Sequence, residues 1–116
     1  VITQNGNQVD LSEVHLSWEV LENRPFLRAL HSLGLFQFYY GSYEQAENSL
    51  NLLVSLNKSD NLGGRCTLIR IAFESKNPKK VLKIASKFPG DILPDLMFGK
   101  VLAHIQLDQT LLAKIA

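Results

Sequence analysis

Histidine, cysteine and paired acids are the side chains of this sequence that could move protons, attack a carbonyl or hold a metal. His15, His31 and His104 lie far apart, and no two have the three- or four-residue spacing that sets two imidazoles on one helix face. Cys66 is the single cysteine, so a thiolate zinc cluster and an internal disulfide are both excluded. A thiolate activated by His31 would be one use of Cys66; a structural thiol is the simpler one. Asp91 and Asp95 are four residues apart. Asp91, however, stands where a helix needs a cap, and Asp95 where a first-turn acid meets the positive end of the helix dipole. Gly63-Gly64-Arg65 follows a loop rather than a strand and lacks phosphate-loop spacing. The expectation is a protein that is not an enzyme, with no catalytic residue, no metal site and no cofactor.

Recognition is the other chemistry available. Phe36, Phe38, Tyr39, Tyr40 and Tyr43 fall within eight positions. On a helical wheel Phe36 and Tyr40 share a face with Leu33 and are expected in the core. Phe38 and Tyr39 fall on a second face, with Arg28, His31 and Leu35 nearby. An aromatic wall beside a cation suits an extended peptide or an anchoring apolar side chain, and the same rings could instead pack a neighbouring helix. Lys76, Lys79, Lys80, Lys83 and Lys87 recur at helical spacing. They make either a solubilising outer face or a dock for an anionic polymer such as RNA. No aromatic is interleaved with them, which weakens the single-stranded nucleic-acid reading.

The elements that carry these residues read as helices. With 116 residues, 46% hydrophobic and 20% charged, the chain suits one small domain with a core of its own. Residues 1–58 hold three basic and six acidic residues, residues 59–116 nine and five, a mild asymmetry that places the basic face late. The chain begins at Val1, and a piece of a longer protein is expected. No apolar run approaches the roughly 18 residues of a membrane span. With no visible signal and one cysteine, a reducing, cytoplasmic location is the expectation.

Residues 1–8 are polar and read as a linker; residues 9–22 read as an extended or irregular arm that lays Trp18 on the first long helix. Ser12 would cap a helical alternative there. Asn23 as cap and Pro25 in the first turn begin a helix predicted over 24–40. Phe26, Ala29, Leu30, Leu33 and Phe36 form one apolar stripe on it, and Leu27, Leu35, Phe38 and Tyr39 extend it onto other faces, so the helix is expected to be sandwiched between neighbours or to line a groove. Gly41 ends it and Ser42 caps a second over 43–56, with Ala46, Leu50, Leu53 and Val54 buried. Further helices are predicted over 62–75, 78–88 (capped by Asn77) and 92–106, with Asp108 capping a last one to Ala116.

Leu27 to Asp60 resembles one tetratricopeptide repeat (TPR). Leu30, Leu33 and Gly34 match the family's first-helix positions, Gly41 its turn glycine, Tyr43 its aromatic and Ala46 its small residue, with Leu50, Val54 and Leu56 following. Gly34 and Ala46 are small so that two helices can approach closely. Lys58 stands where the family usually has proline, and the unit after Asn61 lacks the Gly and Ala pair. The resemblance implies an all-α superhelix of about 2.5 antiparallel helix-turn-helix repeats over residues 23–116. It implies a concave groove, lined by the first helix of each pair, that binds a protein or peptide. The partner-binding residues would be Arg28, His31, Leu35, Phe38, Tyr39, Arg65, Ile69 and Phe73. Self-association, in a purely architectural role, is the alternative; anionic-polymer binding through the lysines is a third.

Overall fold

The computed structural model describes residues 13–115, with side chains through residue 109. Among these the regular structure is helical, without strands: a 3-10 turn (Leu21–Asn23), then α1 (Arg24–Tyr39), α2 (Tyr43–Leu56), α3 (Gly64–Glu74), α4 (Pro78–Ser86) and α5 (Pro94–Ile115). The linker expected over residues 1–8, and the start of the arm with the Ser12 cap, lie outside the described residues. Contacts divide the chain into two compact units, Val1–Gly64 and Arg65–Ala116.

In the first unit, α1 and α2 pack against each other across a short turn. Leu27 and Gly34 of α1 and Ala46, Leu50, Leu53 and Leu56 of α2 are buried. Each buried leucine contributes about 1.5–3 kcal/mol of apolar transfer. Gly34 sets the spacing: a Cβ there would stand 2.7 Å from Cγ and Cδ2 of Leu50. The Ser49 hydroxyl donates to the Gln37 amide oxygen at 2.6 Å, a polar bond across the same pair.

The turn between them is a Schellman motif. Gly41 N–H donates to Phe38 C=O and Ser42 N–H to Gln37 C=O, with Gly41 at φ +84°. These bonds satisfy carbonyls that the helix end would otherwise leave without partners. Ser42 holds the N-cap position of α2, but its side chain makes no capping bond. Asn23 behaves likewise before α1; its amide instead donates to Ser17 C=O at 3.0 Å.

The segment before α1 folds back onto this pair. Residues 14–17 have no regular secondary structure. Leu16 N–H donates to Leu56 C=O (2.6 Å), and the buried Asn57 side chain donates to Leu16 C=O (3.0 Å). Trp18 C=O accepts from Arg24 Nε at 2.7 Å, while the Arg24 and Arg28 guanidinium groups sit 4.6 and 5.2 Å from the centroid of its ring.

In the second unit α3 and α4 are joined by the same hydrogen-bond pattern. Lys76 N–H donates to Phe73 C=O and Asn77 N–H to Ala72 C=O, with Lys76 at φ +54° in the place of a glycine. Asn77 then caps α4, accepting from Lys80 N–H at 3.1 Å. Helix α4 buries Val81, Ile84 and Ala85. Gly99 of α5 lets that helix close down: a Cβ there would be 3.2 Å from Ile69 Cγ2 and 3.7 Å from Phe73 and Val81.

Three expectations need correction. Helix α5 runs unbroken through Asp108, which caps nothing. No proline or glycine interrupts the chain after Gly99, and an interior aspartate costs a helix only about 0.7 kcal/mol. The same helix starts at Pro94, not residue 92, because proline suits a first turn and disfavours helical backbone in the residue before it. Third, Phe36 and Tyr40, expected in the core, are exposed. The face toward α2 is that of Leu27 and Gly34, the one side without bulk at the point of closest approach.

Candidate interaction surfaces

Helix α1 presents two faces besides the one buried on α2. The first carries Phe26, Ala29, Leu33, Phe36 and Tyr40. Phe26 is 53%, Leu33 47%, Phe36 61% and Tyr40 77% exposed, and Ala29 is exposed with them. Phe36 and Tyr40 touch, ring centroids 4.7 Å apart, but they form a surface pair and not part of the core.

The second face holds the predicted contact residues of this unit. Arg28 is exposed over Trp18. His31, Leu35 and Phe38 are half-buried and Tyr39 is exposed. Phe38 lies between two rings, edge-on to Tyr39 at 5.3 Å and tilted to Tyr43 at 5.7 Å. Burial of the His31 imidazole lowers its pKa from the ordinary value; the Asp60 carboxylate opposes this without reversing it. Asp60 is itself buried at φ +47°, and its Oδ1 accepts from Gly64 N–H at 2.9 Å.

Arg65, Ile69 and Phe73 belong to the second unit. Arg65 is ion-paired with Asp91 and lies over the Phe88 ring at 5.4 Å, with little of its side chain exposed. Asp91, read from sequence as a cap, therefore anchors Arg65. Its pKa is lowered first by the bond from Leu93 N–H (3.0 Å) and then by the arginine. Ile69 and Phe73 line an open groove between α3 and α5, about 290 Å³ in volume, with Phe98 and Leu102 opposite. Arg70 and Asp95, paired at 3.2 Å, complete its polar part. Asp95 thus meets an arginine as well as the helix dipole. The face of α5 beside this groove is widely apolar, with Met97, Val101 and Ile105 also exposed.

Phe98 and Leu102 are not among the contact residues expected from the sequence. Their i, i+4 spacing was visible; that Gly99 opens α5 to Ile69 and Phe73 was not. Of the lysines expected on the fourth helix, Lys79, Lys83 and Lys87 are exposed, Lys80 is half-buried, and Lys76 sits in the turn before the helix. Among the described residues no group of three His, Cys, Asp or Glu could hold a metal, and no helix is long and apolar enough to cross a membrane. Compared with family models, with curated proteins and with solved structures, the chain matches none.

Proposed function

We propose that this chain is a TPR-like helical-repeat domain that serves as a protein–protein interaction module and carries no catalytic chemistry. The observation that supports the repeat reading is the recurrence of one turn. Gly41 and Lys76, about 35 residues apart, take the same left-handed position between the two helices of their pairs, close to the repeat length of that family. At the same offset, the buried pair Gly34 and Leu50 corresponds to Ile69 and Ala85, also buried. At these positions the second unit has its large residue on the first helix and its small one on the second, the reverse of Gly34 and Leu50.

In this reading the first helix of each pair offers the binding face: Arg28, His31, Leu35, Phe38 and Tyr39 on α1, and Arg65, Ile69 and Phe73 on α3. Arg65 and Ile69 would act mainly by shaping the surface, since one is paired and the other buried. Peptides selected from a random library against the intact chain test the idea. Binding should fall at least tenfold in Phe38→Ala, Tyr39→Ala and in Phe73→Ala variants that keep native helicity. Equal binding by all variants overturns the reading.

A further inference from the structure

The outer stripe of α1 is spaced as a coiled-coil seam. Phe26, Ala29, Leu33, Phe36 and Tyr40 follow one another by three, four, three and four residues, the a/d pattern of a heptad. It lies on the opposite side of α1 from Phe38 and His31, so it is separate from the binding face proposed above. From Ala29 to Tyr43 the chain contains no Asp, Glu, Lys or Arg. A polyanion or an acidic peptide finds no charge to meet there; another neutral apolar helix does.

We propose that this stripe pairs with α1 of a second copy, antiparallel, about a two-fold axis passing between Gly34 and Leu35. The sizes select that register. In an antiparallel seam each a residue faces a d residue, so Ala29 meets Tyr40 of the second copy and Leu33 meets its Phe36. The two-fold repeats both layers. Every layer then pairs a smaller side chain with a ring, and Phe26 closes each end. Shifting the helices by one heptad puts Phe26 on Phe36 and Ala29 on Leu33, one layer overfilled and the next underfilled.

The area is sufficient. Taking about 200 Å² for a whole ring, the exposed parts of Phe26, Leu33, Phe36 and Tyr40 with Ala29 amount to about 500 Å² per copy. Two copies bury about 1,000 Å², the lower bound for a specific interface. The surface is self-complementary, as a two-fold contact requires, and no like charges face each other across the axis.

Sedimentation of the intact chain should show a reversible shift from monomer to dimer mass with concentration. Phe36→Lys, and independently Tyr40→Lys, should abolish the dimer while leaving the unfolding temperature within a few degrees, because both rings are exposed in the single copy. The register is tested in a Cys66→Ser background. Leu33→Cys with Phe36→Cys, and Ala29→Cys with Tyr40→Cys, should give covalent dimers under mild oxidation; Phe26→Cys with Phe36→Cys should not. A chain that stays monomeric to millimolar concentration, a dimer that survives both lysine variants, or cross-linking only through the Phe26 pair would each overturn the proposal. Peptide binding through Phe38 and Tyr39 is read separately, so either idea can fail without the other.

Discussion

Gly34 shows how one missing methyl sets the geometry of a helix pair. On propensity alone Gly34→Ala would stabilise α1 by about 1 kcal/mol. The added Cβ would stand 2.7 Å from the Leu50 Cγ, a branch point that cannot swing aside. Overpacking of this kind costs about 1–3 kcal/mol, so the substitution should destabilise overall despite better helix propensity. A double-mutant cycle with Leu50→Ala should show the two changes to be less than additive, since removing the leucine branch makes room for the new methyl. Full additivity in chemical unfolding would mean that the pair does not meet as described. Gly34 was readable from the sequence as a close-approach residue because it sits two turns before a helix-ending glycine, with Leu50 and Ala46 at matching positions across the turn.

At the scale of elements, the helices were legible because punctuation brackets them. Pro25 and Pro78 stand in first turns, Gly41 and Asn77 at the reversals, and the observed ends of α1 to α4 fall within two residues of those expected, whereas α5, with no such punctuation after Gly99, runs on to Ile115. The face each helix buries was less legible. Helix α1 is apolar over most of its circumference, so periodicity alone could not say which stripe meets α2, and bulk drew the assignment to Phe36 and Tyr40. The decision rests on Gly34, the smallest residue, whose side of the helix can come closest. In the second pair the turn was marked by Asn77 and Pro78, but its left-handed residue was not legible. Lys76 takes the left-handed conformation without being a glycine, at a cost of about 1–2 kcal/mol. Lys76→Gly should therefore stabilise the chain, by about 0.5–1 kcal/mol after the extra backbone entropy of glycine. Gly41→Ala, at φ +84° with open space around it, should destabilise by a similar amount through backbone strain alone. Thermal unfolding of the two variants should shift in opposite directions; a fall in both would show that the Lys76 side chain contributes more than its backbone costs.

For the molecule as a whole, the two units should respond to acid in different windows. In the first, burial lowers the pKa of His31 below its ordinary 6.5, so the unfolded chain binds the proton more readily than the folded one. The stability that a neutral His31 supplies is fully present above pH 6.5. It is lost as pH falls from 6.5 toward the lowered folded value, below which the loss is complete. Asp60 moderates this by favouring the imidazolium. Asp60→Asn keeps an oxygen for Gly64 N–H and tolerates the left-handed backbone, but removes the charge, so the His31 titration should move lower still. In the second unit Asp91 is also shifted down, from 3.8, by Leu93 N–H and Arg65. Its contribution is intact above pH 3.8 and disappears only as pH falls through that value to the folded one. Trp18, the single tryptophan, belongs to the first unit and reports from it. The midpoint read by Trp18 fluorescence should start to drop between pH 7 and 5 and should flatten in His31→Gln. The Leu93 amide resonance, which follows the Asp91 bond, should hold its position until pH falls below 4. Identical acid profiles at both probes, unchanged by His31→Gln, would show that neither group sets the acid limit of its unit.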